Sequence, residues 1–228
     1  TGIWNNLGGV VNSDGTITVT LPHFSKYAVL EKVGTNASLK TFYDIQGHWA
    51  QKEIDQLVVS KIIDGMDETS FKPDANLTRA QFVAMLFRAL KLQNPSQAVT
   101  FDDVTNDSWY KDSVYAAHEA NIVNGVSDHK FKPEANITRE QMAVMMVNAY
   151  LHVTNKKLSD ITITTVAKYA DSGSISDWAR TYVNIASSLG LLTGYDETNF
   201  APALDSSRAQ AAVVINRLLN IITSNSSK

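Results

Sequence analysis

The amino-acid sequence predicts a mainly α-helical protein: three helix–loop–helix repeats packed as a pseudo-threefold unit, with a short β segment at the N-terminus. Three observations lead to this fold class. Five residue types recur in step three times, apolar residues within each repeat follow helical spacing, and the N-terminal stretch instead alternates threonine with apolar residues. A chain of 228 residues, 44% of them hydrophobic, is long enough to bury the core that such repeats need.

Residues 1–33 are predicted to be the last strands of a preceding β domain. Residues 12–15 are typical of a turn, and residues 16–21 then alternate polar and apolar side chains with the period of a half-buried strand. A second short strand is predicted at residues 27–30, and two or three strands cannot bury a core by themselves. The polar residues 34–41 are predicted to be a linker.

The repeats are marked by tryptophan, glycine, phenylalanine, proline and arginine at constant spacing. Counted from each tryptophan, the glycine lies 16, the phenylalanine 22, the proline 24 and the arginine 30 residues later. These residues are Trp49, Gly65, Phe71, Pro73 and Arg79; Trp109, Gly125, Phe131, Pro133 and Arg139; and Trp178, Gly194, Phe200, Pro202 and Arg208. We assign the repeats to residues 42–95, 96–155 and 156–222, the third after an insertion near 155–167, with 223–228 as a tail.

Each repeat is predicted to contain two helices joined by a loop. The repeated glycine is expected at the end of the first helix, in the left-handed conformation. The second helix is expected to begin with a capping box, formed by Thr78 and Gln81, Thr138 and Gln141, or Ser207 and Gln210. One such helix pair cannot bury its apolar face alone, so we expect three pairs to close about a pseudo-threefold axis. An open solenoid is the alternative.

Composition and motifs exclude several functional classes. A net charge of −3 without a basic field argues against a nucleic-acid partner, and the absence of cysteine excludes disulfides and thiolate chemistry. No phosphate-binding glycine loop, zinc-type histidine spacing or run of 18 apolar residues is present, so we expect no enzyme activity, cofactor, metal or membrane insertion. Because the chain begins with Thr1 and lacks a leader, we expect it to be part of a longer chain.

These repeats resemble the surface-layer homology (SLH) domain of Gram-positive cell-surface proteins. The resemblance covers residues 42–222 and rests on an aromatic-x-Asp start, the tryptophan, the glycine, the Phe-x-Pro loop and a signature like Thr-Arg-Ala-Glu. The starts end at Asp44, Asp103 and Asp171, and the signatures begin at Thr78, Thr138 and Ser207. The chain departs from the family in having glutamine in place of all three signature glutamates, and Ala201 where the other loops have Lys72 and Lys132.

The resemblance implies a three-lobed helical unit in which the first helix of each repeat lines the axis. It implies a non-catalytic, monomeric anchoring module, extracellular at the cell wall or S-layer. The partner would be a secondary cell wall polymer attached to peptidoglycan, bound in grooves between repeats through a ManNAc residue that carries a 4,6-linked pyruvate ketal. The alternative is a structural or assembly module whose grooves bind protein.

The candidate carbohydrate-binding residues recur with the repeats. The arginines lie at helix N-termini, where they either bind the ketal carboxylate or pair with a motif-start aspartate. The tryptophans either stack on a sugar or pack in the core. The glycines either let the ligand approach the backbone closely or only end helices. The lysines either contact the ligand or are only solvated. The candidates are Arg79, Arg139, Arg208, Trp49, Trp109, Trp178, Gly65, Gly125, Gly194, Lys72 and Lys132.

The three grooves are predicted to differ in charge. Each arginine is expected to share a groove with the loop of its own repeat, so that Arg79 lies with Lys72 and Arg139 with Lys132. Arg208 would then lie with Ala201, and its groove is expected to bind an anion least.

Overall fold

The structure, a computed structural model, describes residues 10–11, 17–18, 42–96, 101–163, 166 and 168–226. It divides the chain into two units, Thr1–Ser38 and Leu39–Lys228. In the first unit, strands β1 (Val10–Val11) and β2 (Ile17–Thr18) pair antiparallel, with Val10 opposite Thr18. This pairing agrees with β structure on both sides of the predicted turn. The turn, the predicted strand at 27–30 and the predicted linker lie outside the described residues.

The second unit contains six helices in its described part, in the three pairs that the repeats predict. The helices are α1 (Gln51–Val59), α2 (Arg79–Leu90), α3 (Lys111–Glu119), α4 (Arg139–Thr154), α5 (Asp177–Ser188) and α6 (Arg208–Ser226). Short 3-10 turns lie at Tyr43–Ile45, Leu158–Asp160 and Ser172–Ser174. This arrangement confirms the predicted mainly helical fold class. Within the described ranges, every helix is too short or too polar to cross a lipid bilayer.

Capping boxes begin all three second helices, as the sequence predicts. The Thr78 hydroxyl accepts a hydrogen bond from the Gln81 amide at 3.2 Å, and the Gln81 side-chain oxygen accepts one from the Thr78 amide at 3.1 Å. The same reciprocal pair joins Thr138 to Gln141 and Ser207 to Gln210. Two amide groups that a helix N-terminus leaves unsatisfied are therefore bonded in each repeat.

We expect Thr138→Ala to lower the free energy of unfolding by about 0.5–2 kcal/mol, because it removes the side-chain acceptor of an N-cap. Chemical denaturation measures this change. Thr138→Ser is the matched control, since Ser207 forms the same bond in the third repeat, and it should be close to neutral. Equal stability of the alanine variant and the parent would contradict the role of the cap.

The first helices end differently from the prediction. α1 ends at Val59, and the residue with left-handed backbone is Lys61 (φ 57°), not Gly65. The next amide, that of Ile62, donates to the Leu57 carbonyl at 2.9 Å and closes a Schellman-type turn. Asn121 (φ 56°) and Gly190 (φ 68°) have left-handed backbone after the first helices of the other repeats. The prediction that the repeated glycines end these helices is therefore wrong.

The repeated glycines are required by close packing instead. A Cβ atom on Gly65 would lie 2.3 Å from Cε1 of Phe42 and 2.4 Å from the Asp67 carbonyl oxygen. At Gly125 and Gly194 the closest loop carbonyls would be 2.7 and 2.5 Å away. These distances leave no room for a side chain, so each glycine lets a tight loop lie against the aromatic residue that starts its repeat.

The three repeats are joined in a ring by backbone hydrogen bonds. The Ile137 amide donates to the Leu77 carbonyl, the Ser206 amide to the Ile137 carbonyl, and the Leu77 amide to the Ser206 carbonyl, at 2.9, 2.9 and 3.0 Å. These residues occupy equivalent positions, just before the second helix of each repeat. A direct bond between the third and first repeats is inconsistent with an open solenoid. The cyclic order supports the predicted pseudo-threefold closure.

Helix packing follows the same cyclic order. α2 packs on α3, α4 on α5, and α6 on α1, so each second helix contacts the first helix of the next repeat. α6 also contacts both α2 and α4. α6 thus joins the other two second helices, and among the described residues it is the second helices and not the first that contact one another in this way, so the implied arrangement in which the first helices line the axis is wrong. The backbone ring explains this difference, because it brings the N-terminal ends of the second helices together.

Candidate functional site

The motif-start aspartates hold the Phe-x-Pro loops. The Asp44 carboxylate accepts hydrogen bonds from the backbone amides of Phe71 at 2.9 Å and Lys72 at 2.7 Å. Asp103 binds the amides of Phe131 and Lys132 in the same way, and Asp171 those of Phe200 and Ala201. Residues Lys72, Lys132 and Ala201 all have positive φ, between 55° and 57°. The three loops therefore have the same backbone shape, whether the residue after the phenylalanine is lysine or alanine.

The signature arginines reach across to the next repeat. Arg79 Nε donates to the Phe131 carbonyl at 2.9 Å, and Arg139 Nε donates to the Phe200 carbonyl at 2.7 Å. Arg208 Nε donates to the Phe71 carbonyl at 2.8 Å, and so joins the third repeat to the first. We call these contacts the first junction (Arg79 with the second repeat), the second junction (Arg139 with the third repeat) and the third junction (Arg208 with the first repeat).

A second guanidinium nitrogen at each junction binds the carbonyl of the residue before the repeated glycine. Arg79 Nη2 donates to Asn124 at 3.4 Å, Arg139 Nη2 to Thr193 at 2.7 Å, and Arg208 Nη2 to Asp64 at 2.8 Å. The structure thus brings each candidate arginine beside a candidate glycine, Gly125, Gly194 or Gly65 in that order. These glycines belong to the repeat that receives the arginine, not to the repeat that supplies it.

All three guanidinium groups are buried against aromatic rings. Arg79 and Arg139 are 3% exposed and Arg208 is 8% exposed. Their guanidinium carbons lie 4.7, 5.0 and 4.4 Å from the ring centres of Phe131, Phe200 and Phe71. Burial lowers the pKa of all three groups, that of Arg79 to about 10. Each group nevertheless stays protonated at neutral pH, so three positive charges lie at low dielectric between the repeats.

The arginines interact with the motif-start aspartates through charge and not through hydrogen bonds. The carboxylates hold loop amides and the arginines donate to carbonyls, but the charges of Asp103, Asp171 and Asp44 still act on Arg79, Arg139 and Arg208 in that order. The expected grouping of arginine and loop within one repeat is wrong. Arg208 lies with the loop of Lys72, Arg79 with the loop of Lys132, and Arg139 with the loop of Ala201. The second junction, not the third, therefore lacks a lysine.

The N-terminal amides of the second helices are already bonded. Arg79 N donates to the Ala135 carbonyl at 2.9 Å, and the Ala80 amide donates to the Pro133 carbonyl at 3.0 Å. The equivalent amides of α4 and α6 donate to the loops of the third and first repeats. The helix ends thus serve to join repeats, and an anion at a junction would have to use the side chain of the arginine.

The candidate tryptophans are exposed, so the alternative that they pack in the core is wrong. Trp49 and Trp109 are each 62% exposed, and Trp178 is 54% exposed. The ring contacts of the first two, in the described part of the chain, are with sequence neighbours, His48 at 5.3 Å and Tyr110 at 5.2 Å. Lys72 and Lys132 are exposed as well. Each repeat thus presents a flat indole face to solvent.

Sequence reasoning missed the residues on either side of the repeated glycine. Asp64, Asn124 and Thr193 precede it and supply the carbonyls that bind the arginines. Met66, Val126 and Tyr195 follow it and are exposed apolar side chains beside the junctions. Their positions next to a repeated glycine were the only signal, because their side-chain types differ among the repeats.

We expect Gln141→Glu to raise the free energy of unfolding by about 0.5–1.5 kcal/mol. Gln141 caps α4 and also accepts a hydrogen bond from Arg79 Nη1 at 3.3 Å. A carboxylate there would gain from the helix N-terminus and from a buried cation. Gln210→Glu is the control, because Gln210 caps α6 without an arginine bond among the described residues, and its gain should be smaller. Destabilisation by Gln141→Glu in chemical denaturation would contradict this account.

Similarity to known proteins agrees with the repeats. The S-layer homology domain model matches residues 41–83, 100–143 and 168–212. The amylopullulanase of Thermoanaerobacterium thermosulfurigenes is 38% identical over 217 residues, which cover 95% of this chain and 11% of that protein. The endoglucanase of Bacillus sp. (strain KSM-635) is 37% identical over 200 residues, covering 86% and 21%. The surface-layer 125 kDa protein of Lysinibacillus sphaericus is 30% identical over 190 residues, covering 82% and 15%. The chain thus matches only about a tenth to a fifth of each relative's length.

Proposed function

The chain belongs to the S-layer homology domain family, whose members anchor proteins to the cell wall, and from this we propose that it binds a pyruvylated secondary cell wall polymer. The recognised group in this proposal is a ManNAc residue with a 4,6-linked pyruvate ketal, held at the junctions between repeats. The module is non-catalytic and holds the longer protein that carries it at the cell surface. We place the repeats at residues 42–95, 96–155 and 156–222; the matched segments are 41–83, 100–143 and 168–212, so the first begins one residue before the proposed repeat.

The observation that carries this proposal is the set of three buried guanidinium groups held by carbonyls instead of carboxylates. The Nε and Nη2 bonds of these arginines go to backbone oxygens, and the motif-start aspartates act on them through charge alone, because their carboxylates hold loop amides. In the described part of the chain, Ser206 Oγ is the one fully buried side-chain polar atom without a partner. Nη1 of Arg139 and of Arg208 has no hydrogen bond there, so these atoms retain contact with solvent. A ligand carboxylate can therefore bind at the edge of the guanidinium group.

The exposed tryptophans support a sugar as the ligand. A half-exposed indole presents an apolar face beside polar groups, which suits the apolar face and hydroxyl edges of a pyranose ring. The combination of a ring surface with a cation in every repeat fits a sugar that carries a carboxylate.

Removing the ketal tests the proposal directly. Calorimetry with purified wall polymer should show binding to this chain, and chemical removal of pyruvate should lower the affinity at least tenfold. Unchanged binding after removal of pyruvate would contradict the proposed recognition. Binding to a wall-associated protein, with no binding to either polymer, would favour the alternative assembly function.

We expect Trp109→Ala to weaken polymer binding about tenfold, because stacking on a flat ring contributes roughly 0.5–1.5 kcal/mol or more beyond area burial. The indole is 62% exposed, so circular dichroism should show an unchanged fold. Tyr43→Ala is the control, since Tyr43 is a 69% exposed aromatic residue that was not a candidate. Equal affinities of the two variants would remove Trp109 from the proposed site.

A further inference from the structure

The residue before the repeated glycine differs in charge among the junctions. Its carbonyl binds the incoming arginine in every case, at Asn124 in the first junction, Thr193 in the second and Asp64 in the third. The position is therefore fixed beside the guanidinium group by the backbone. Only at the third junction does this position carry a carboxylate.

The Asp64 carboxylate is turned toward its own loop. Asp64 Oδ1 accepts a hydrogen bond from the Gly65 amide at 2.9 Å. The same residue gives its carbonyl to Arg208 Nη2 at 2.8 Å, so the carboxylate, the glycine amide and the guanidinium group lie together. A backbone amide beside a guanidinium group is a pair of donors that suits a carboxylate ligand. At the third junction the Asp64 carboxylate already accepts a hydrogen bond from the Gly65 amide.

The electrostatic surroundings of the three arginines agree with this difference. Burial lowers the pKa of Arg208, and the charges of Asp44 and Asp64 oppose that shift. For Arg79 the opposing charge is that of Asp103 alone, and burial lowers its pKa to about 10. For Arg139 the opposing interactions are those with Tyr169, Tyr195 and Asp171. A motif-start aspartate thus acts on all three arginines, whereas a second carboxylate acts only on Arg208.

We infer that Asp64 is an internal competitor for the anionic ligand at the third junction, and that the first junction, with Asn124 and Lys132, is the preferred anion site. This inference rests on the proposed function. The first and third junctions each have a loop lysine, Lys132 or Lys72, and differ at the residue before the glycine. A ligand carboxylate beside Asp64 would meet a second negative charge near the guanidinium group, and like charges within about 4–6 Å disfavour each other. The first junction has the neutral amide of Asn124 at that position, and the bond from Arg79 Nη1 to Gln141 is long, at 3.3 Å, and ends on a neutral acceptor that a ligand carboxylate can replace. The second junction has a neutral Thr193 but Ala201 in place of a lysine, which leaves the arginine as its cation.

A reciprocal exchange of the two side chains tests the inference. The probe is the monosaccharide ManNAc with a 4,6-linked pyruvate ketal, titrated into the full chain by calorimetry. Asn124→Asp should weaken binding at least tenfold. Asp64→Asn should add a second site of comparable affinity, seen as a rise in stoichiometry. Both changes are nearly isosteric, and an asparagine at 64 can still accept from the Gly65 amide, so the loop keeps its bond.

The possible results separate the inference from the function on which it rests. Thr193→Asn is the control and should change neither affinity nor stoichiometry, because it adds no charge. If the parent chain binds the ketal and both exchanges leave its isotherm unchanged, the inference is overturned and the proposed function stands. If the parent chain binds no ketal, both are overturned. A loss with Asn124→Asp together with a gain with Asp64→Asn supports the inference.

Discussion

A fragment that contains only the first repeat, residues 42–95, is expected to be unfolded. In the intact chain, the apolar face of α1 packs against α6 and that of α2 against α3 and α6, so both helices lose their main partners in the fragment. The fragment also loses the donor of the bond to the Leu77 carbonyl and the Ser206 carbonyl that accepts from the Leu77 amide. Isolated helices of 9 and 12 residues are marginal in water without such packing.

Circular dichroism and thermal melting measure this result. The fragment should have little helical signal and no cooperative transition, whereas residues 42–226 should melt in one transition. The longer fragment is the control, because it keeps all three junctions and all six helices. A sharp melt of residues 42–95 would show that the repeats fold independently and that the ring of contacts contributes little stability.

The local features of the fold were predictable because their signals lie within a few residues of one another. A hydroxyl three residues before a glutamine specifies a capping box, and Thr78 with Gln81 forms one. Equal spacing of five residue types likewise specifies three similar helix pairs. Neither signal depends on which repeat packs against which.

The partners of the arginines could not be predicted for the opposite reason. Arg208 binds the Phe71 carbonyl, which is 137 residues away in sequence. A backbone carbonyl has no residue type, so nothing in the sequence marks it as an acceptor. The aspartates, which the sequence does mark, bind amides instead. Assigning each arginine to its own repeat was the simplest choice, and closure of the ring moves every arginine one repeat onward.

The repeated glycines show a second limit of prediction from the sequence. A glycine after an apolar helix indicates a helix end, and the same residue type also permits close packing. At Gly65 the second reason applies, since a Cβ would meet both Phe42 and a loop carbonyl, and Lys61 takes the left-handed position. The residue type is glycine in both roles, and only the packing of the loop shows which of the two roles applies.

We expect Arg139→Ala to lower the free energy of unfolding by about 3–5 kcal/mol, since a buried group left without its partner costs roughly 1–3 kcal/mol. The change leaves two carbonyls at the second junction, those of Phe200 and Thr193, without their donors at 2.7 Å. It also removes the guanidinium group that lies over the Phe200 ring. Because the Arg139 side chain is only 3% exposed, a loss of stability is expected from this change in addition to any loss of binding.

Chemical denaturation should separate this loss from the effect of an ordinary surface arginine. Arg180→Ala is the control, because Arg180 also donates to two carbonyls, those of Ser172 and Ile175, but its side chain is 44% exposed and water can replace it. Arg180→Ala should lower the free energy of unfolding by only about 0–1 kcal/mol. Arg139→Met keeps much of the side-chain volume, and a loss of more than about 2 kcal/mol in that variant would assign the effect to the hydrogen bonds. Similar stabilities of the Arg139 and Arg180 alanine variants would mean that the junctions do not hold the repeats together, and the site would then have to be sought on the exposed tryptophan faces alone.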